Sequence, residues 1–282
     1  MKNLRMLFCM LMGLLIGSVL GIVIANITHD QQKKKRAQMA ATEVTATADA
    51  TAGDVATPME EQMHTAGDAT GTDAAVPDAA QPEALTEILN RSLVSYAQLA
   101  EVSCRQVVVV DADHDRAAIS MYTCDADGKW TDTGLTAEGY VGTNGVSRES
   151  YEGSRMTPAG VFPIGEAFYI EEKPETGLST FQITENTYWV DDSDSELYNQ
   201  RIELDGEKTW QSAEHMIEYT DAYKYGFVVE YNQNPVEPGR GSAIFFHVGQ
   251  QPTLGCIATT EDMVLAYLAK LSKDMHPYIV IQ

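Results

Sequence analysis

Apolar and polar positions divide this chain into three stretches of different character. Residues 6–25 carry no charge, and about 20 such residues in a helix span a hydrocarbon core of roughly 30 Å. Residues 37–81 are built mainly of Ala, Thr, Asp, Gly and Glu, with no aromatic side chain and no Lys or Arg. A segment of that composition buries too little apolar surface to offset its conformational entropy, so a disordered, self-repelling tether is expected. Beyond it the pattern becomes that of a folded domain. The expected organisation is a short basic N-terminus (1–5), a transmembrane anchor or signal peptide (6–27), an acidic Ala/Thr-rich linker (28–81) and one domain (82–282).

Within the domain, Leu85, Ile88, Leu89, Leu93 and Tyr96 fall at helical spacing behind Pro82, which predicts a docking helix. RQVVVVDAD and RAAISMYTCD then flank Asp113-His114-Asp115 as two strands around a turn. Pairing symmetric about His114 would set Cys104 opposite Cys124, within disulfide reach. Short strand candidates follow, among them AGVFPIG, TYWV, YGFVVE, SAIFFH and the final PYIVIQ. One late helix is predicted in TTEDMVLAYLAKLS, with a Thr cap, Glu261 and Asp262 in its first turn, and Val264, Leu265, Leu268 and Leu271 on one face. Many spaced strands and few helices predict a mainly β domain.

Charge narrows the partners. A formal net charge of −22, from 41 acidic and 19 basic residues, repels phosphates and argues against nucleic acid. It suits a cationic or amine-bearing partner, and it equally serves solubility. Lys2 and Arg5, with Val23-Ile24-Ala25 as a cleavage triplet, also fit a secretory signal, although the apolar run exceeds the usual signal core of about 7–15 residues. Lys33 to Arg36 form a basic cluster that the positive-inside rule would hold in the cytoplasm, so charge leaves the orientation open. Gly13, Gly17 and Gly21 recur on one helical face, as in helices that pair closely, or as chance in an apolar run.

The candidate chemistry lies in AIFFHVGQQPTLGCIATTEDM. Of four cysteines, Cys9 lies in the apolar run and Cys104 and Cys124 can pair, which leaves Cys256 over as a reactive thiol or a buried small hydrophobe. His247, nine positions earlier, ends a buried strand, and VGQQPTLG is short enough to fold back and bring Cys256 alongside. A cysteine needs a base or cation to ionise at neutral pH, and His247 fits that need. Gly255 permits close backbone approach, and the Gly255 and Cys256 amides are candidates for an oxyanion site. Asp191 and Asp192 would face a cationic ligand or cap a turn. Glu214 and His215 would line a groove or start a surface helix, and Arg240 would bind a carboxylate.

Several blocks together resemble the L,D-transpeptidase catalytic-domain family, also called YkuD-like. They are VGTNGVSRESYEGSRMTPAGVFPIGEAFY, YWVDDSDSELYNQ and YGFVVEYNQNPVEPGRGSAIFFHVGQQPTLGCIATTEDM, in family order. The resemblance implies a β-sandwich or partly open barrel with one or two packed helices, and a peptidoglycan stem peptide as substrate. By position Cys256 would be the acylated nucleophile and His247 the base, with Thr253 at the Ser/Thr position ahead of the Gly-Cys pair and no cofactor. The cysteine would attack the carbonyl following the L-centre of a diamino acid, expel D-alanine, and pass the acyl group to an amine. Two positions depart from the common motif: Leu254 stands where a second histidine is usual, and Ala258 where an arginine often follows. The His-to-Cys interval is also shorter. This form resembles a branch that includes hydrolases, so water is an alternative acceptor, and an inactive cell-wall binding module is a further one. A sortase would need an arginine after the cysteine, and none is there. The family role also implies a head outside the cytoplasmic membrane.

Overall fold

The computed structural model describes residues 81–282 apart from Leu93. The expected anchor, its glycine face and nearly all of the expected linker lie outside the described residues. Among the described residues no helix is long and apolar enough to cross a membrane. Gln81, the last residue assigned to the linker, is already tied down, its amide accepting from Trp130 N–H at 3.0 Å and donating to Gly128 O at 3.2 Å.

The expected single docking helix is two, α1 (Glu83–Ser92) and α2 (Tyr96–Glu101). Ser95 breaks the run: its hydroxyl accepts from Gln98 N–H while Gln98 accepts from Ser95 N–H, a reciprocal cap that starts a new helix. Fourteen strands follow among the described residues: β1 (Gln106–Asp113), β2 (Arg116–Cys124), β3 (Trp130–Tyr140), β4 (Val146–Ser147), β5 (Thr157–Pro158), β6 (Gly160–Tyr169), β7 (Thr180–Gln182), β8 (Thr187–Val190), β9 (Arg201–Glu203), β10 (Ala213–His215), β11 (Tyr225–Val229), β12 (Phe245–Val248), β13 (Ile257–Thr259) and β14 (Pro277–Ile281). Helix α3 (Glu261–Lys270) lies between the last two, with Thr260 at the expected N-cap position, although its side chain makes no capping bond.

The mainly β expectation holds, and the barrel is more complete than expected. Its order is β11-β12-β13-β3-β2-β1-β14-β6, and pairing of β11 with β6 closes the ring, which leaves no open edge among those eight strands. β1 shows why the apolar runs are continuous. Val108 and Val110 face the barrel core, whereas Val107 and Val109 face outward beneath Leu85, Ile88, Leu89 and Leu99 of α1 and α2. A strand covered on both faces needs no polar alternation. A separate small sheet, β10-β8-β9, stands beside the barrel.

The β1–β2 hairpin corrects the cysteine pairing. Its turn is two residues, with Asp113 opposite Arg116 and His114 at φ 56°, so each cross-strand pair lies one residue later than symmetry about His114 requires. Cys124 therefore sits opposite Arg105, to whose carbonyl its N–H donates at 2.8 Å. Both thiols are free and buried. Cys104 donates to Gln106 O at 3.2 Å, and burial pushes its thiol up to about 12. A bridge of this kind would contribute about 3 kcal/mol. Adding reductant should accordingly leave the thermal midpoint unmoved, and a drop of several degrees would reveal a bond.

Candidate active site

Strands β12 and β13 run parallel, with Phe246 opposite Ile257 and His247 opposite Ala258. Phe246 and Ile257 belong to the barrel core. Alternation along each strand then turns Phe245, His247, Cys256 and Ala258 to the other face. There Phe245 and Cys256 pack with Phe168, Trp189 and Tyr223. The connection, residues 249–256, is shorter than the dozen or so residues usual for a parallel crossover. It is held by its neighbours instead: Thr253 N–H donates to Val141 O and Thr143 N–H to Thr253 O, each at 2.9 Å. Between those two residues, Gly142 lets the Arg155–Thr157 backbone pack close, since a Cβ there would lie 2.4 Å from Arg155 O.

Thr253 fixes the turn into the cysteine. Its hydroxyl donates to Cys256 O at 2.6 Å and accepts from Gly255 N–H at 3.1 Å. Gly255 has φ 153°, a conformation that side chains rarely adopt. The Gly255 amide is thus already engaged, and this corrects its assignment to an oxyanion site. Thr253 keeps a role at the expected place, as a clamp on the backbone of the Gly-Cys pair.

No hydrogen bond joins the thiol to His247. Cys256 S–H donates to Ala243 O at 3.3 Å, and the sulfur accepts from Phe245 N–H at 3.4 Å. Burial first, and then the Glu214 carboxylate, push the thiol well above its ordinary value, while the Phe245 amide opposes them. His247 Nδ1 lies 2.8 Å from Val248 O. A carbonyl only accepts, so Nδ1 carries the proton and Nε2 keeps its lone pair. Burial lowers the histidine below its ordinary value. The resting site is therefore a neutral thiol beside a neutral imidazole whose Nε2 can take a proton.

The carbonyl that receives the thiol belongs to Ala243, which is held in the left-handed region at φ 53°. Asn199 holds it there. Its Oδ1 accepts from Ala243 N–H at 3.1 Å and from Trp189 Nε1 at 3.0 Å, and its Nδ2 donates to Tyr231 O and Asn232 O.

Above the thiol opens a cleft of about 410 Å³ whose lining includes His247, Cys256, Ala258, Leu254, Glu214 and Tyr223. Glu214 lies on β10, opposite Trp189 of β8, and so not at a helix start. Tyr223 OH donates to Glu214 Oε2 at 2.5 Å, and the Tyr223 ring meets His247 edge to face, 5.4 Å between centroids. Burial, reinforced by the negative charges of Asp191 and Glu152, pushes Glu214 up to about 7, against the hydrogen bond from Tyr223. Nothing in the sequence around Tyr223 signals this role, because a loop between the small sheet and β11 delivers it.

The remaining expected residues divide. Asp191 is not among the residues that line the cleft, and its Oδ1 is buried without a hydrogen-bond partner. Asp192 caps a turn, accepting from the N–H groups of Asp194 and Gln211. His215 stacks on Tyr188 at 4.3 Å and bonds Glu218 and Glu185 O, a structural position. Arg240 sits on an exposed loop beside Glu237 at 3.8 Å and does not line the cleft.

A family model described as the L,D-transpeptidase catalytic domain, YkuD, matches residues 105–279. No curated protein and no solved structure matches the chain.

The Glu214 shift has a direction in pH. Its folded value of about 7 exceeds the ordinary 4.5, so its contribution to stability is complete below 4.5 and is lost as pH rises through 7. Glu214→Gln keeps an acceptor for Tyr223 and removes the charge. Urea unfolding should find the variant gaining on wild type between pH 5 and pH 8 by about 1–2 kcal/mol, a figure reduced for partial exposure. A difference that stays constant with pH would contradict the assignment.

Proposed function

This chain belongs to the L,D-transpeptidase catalytic-domain family, and from that premise we propose that it is a cysteine acyltransferase acting on peptidoglycan stem peptides. The observation that carries the reading is the shared cleft: Cys256 and His247 on one face of a parallel strand pair, with Nε2 of a neutral imidazole available to accept a proton. In the first half-reaction the thiol leaves Ala243 O and gives its proton to His247 Nε2. The sulfur attacks the carbonyl that follows the L-centre of the donor's diamino acid. The tetrahedral oxyanion takes the Cys256 amide, since Gly255 N–H is spent on Thr253. Collapse forms the thioester and expels D-alanine, whose nitrogen receives the proton from His247. In the second half-reaction an amine of another stem attacks the thioester, His247 takes its proton, and the thiol is restored. Covalent catalysis thus replaces one difficult exchange with two easier ones.

Water as acceptor is the second reading, and the cleft motivates it. Ala258, at the position where an arginine is common in the family, adds neither charge nor hydrogen bond, and Leu254 stands 74% exposed at the rim. The substrate also implies a place: the head lies outside the cytoplasmic membrane, and residues 6–27 anchor it or direct its export.

Purified protein incubated with tetrapeptide muropeptides should give cross-linked dimers, or exchange of terminal D-alanine for an added amino acid, by mass spectrometry. Simple loss of D-alanine would establish the hydrolase instead. Cys256→Ala should abolish either product, and His247→Gln should slow it by about 10²- to 10⁴-fold. Unchanged substrate with folded wild type would overturn both readings.

A further inference from the structure

We propose that Glu214 is an ammonium-recognition group of the cleft, and that a substrate cation paired with it also releases the Cys256 thiol for ionisation. For the identity of the substrate this rests on the acyl-transfer reading above; its electrostatics stand without it.

Three observations point this way. Glu214 lines the same cleft as the nucleophile, and Tyr223 OH occupies only Oε2. Among the described residues Oε1 has no hydrogen-bond partner. No lysine or arginine is among the residues that line the cleft. The Asp191 Oδ1 is buried without a partner, and the charges of Asp191 and Glu152 both reach Glu214. At the mouth Asp221 adds a further carboxylate. The cleft thus carries carboxylates with no lysine or arginine among the residues that line it.

Such a cleft is costly twice. A half-buried carboxylate without a cation is disfavoured in itself. It also opposes the one event the site needs, formation of a thiolate, because like charges in a poorly solvated cleft repel. A cation supplied from outside reverses both penalties. A primary ammonium fits better than a guanidinium or a metal ion. One free carboxylate oxygen, with the other taken by Tyr223, offers a single acceptor rather than the bidentate pair that a guanidinium matches. Among the described residues no group of three metal-ligating side chains is gathered. The free side-chain ammonium of a diamino acid in the donor stem is such a group. On this arrangement the donor both binds through its ammonium and lowers the barrier to its own attack by neutralising Glu214, so thiolate forms more readily when the correct substrate is in place.

The experiment compares two thiol reagents of similar size, cationic 2-aminoethyl methanethiosulfonate and neutral methyl methanethiosulfonate, on the full chain. In both the sulfur of Cys256 attacks the sulfenyl sulfur and methanesulfinate leaves, and modification is followed on the Cys256 peptide by mass at pH 8. The cation-over-neutral rate ratio should be on the order of tenfold higher in wild type than in Glu214→Gln. Glu214→Asp should restore part of it, and 1 M salt should shrink it in wild type. The neutral reagent alone should react faster with Glu214→Gln than with wild type, a change that mere loosening of the fold would not confine to the neutral reagent. Equal ratios in wild type and Glu214→Gln, or a wild-type ratio insensitive to salt, would overturn the proposal.

A second arm uses tetrapeptide donors with the diamino acid's side-chain amine free or acetylated. Wild type should form the acyl-enzyme faster with the free amine, and Glu214→Gln should lose that preference. An unchanged preference in the variant would overturn the proposal while leaving the acyl-transfer reading intact. A reagent effect together with no acylation of wild type by either peptide would support the ammonium site and overturn the acyl-transfer reading.

Discussion

The parallel pairing of Phe246 with Ile257 decides where every reacting group of this protein points. Each of these side chains is fully buried in the barrel, and burying such a side chain stabilises by about 1.5–3 kcal/mol. A slip of one residue in either strand would carry its apolar set to the cleft face and send His247 or Cys256 into the core. The register is therefore enforced by hydrophobic burial, and the polar site inherits its geometry at no further cost. Closure of the barrel through β11 and β6 fixes the other edge of β12, whose residue His247 lies opposite Gly226. The pair's position is as rigid as the core beneath it.

On that rigid base the site rests in an unreactive form. Ala243 O and Phe245 N–H hold the thiol, and burial and Glu214 keep it protonated. Burial likewise keeps His247 neutral. None of these groups stands preformed as an ion pair, so reactivity has to come from what enters the cleft. A thiol in this state is protected from adventitious oxidation and alkylation, which depend on thiolate. Strain is part of the arrangement: Ala243 at φ 53° holds a backbone conformation unfavourable for alanine, at a cost of about 1–3 kcal/mol, whereas Asn199 at φ 57° is of a residue type that adopts it readily. The bonds converging on Asn199 hold Ala243 in that conformation.

Local pattern made much of this legible. The valine run of β1, the final strand and helix α3 follow from burial period alone, and the blocks around His247 and Cys256 carried the family resemblance; SAIFF overreached, because β12 begins only at Phe245 and runs on to Val248, while Ala243 before it is left-handed. What escaped was set by pairs distant in sequence. Glu214 gave two equal readings because three residues in AEH hold no period, and only the pairing with β8 makes them a strand. Tyr223 comes from a loop without a repeating signal. The hairpin offset is a matter of one residue in a turn, which His114's positive φ decides and no apolar pattern reports. The split of the first helix depended on Ser95 and Gln98 capping each other, a polar detail inside an otherwise continuous apolar stripe.

The shortened crossover also shapes the surroundings of the two positions that depart from the common motif. With only residues 249–256 to return from β12 to β13, the chain must turn back at once, and Gly249 N–H bonds Thr259 O at 2.8 Å. That brings its backbone so close that a Cβ on Gly249 would lie 3.1 Å from the Cβ of Ala258. Ala258 lines the cleft beside this loop, and its methyl group brings no charge into it. Position 254 is carried out to the rim by the same turn, where an apolar side chain stands largely in solvent. The cleft thus lacks the positive charge that an arginine at 258 would have supplied, and no lysine or arginine lines it beside Glu214 and Asp221. Of the charges a substrate can bring, only a positive one completes such a site.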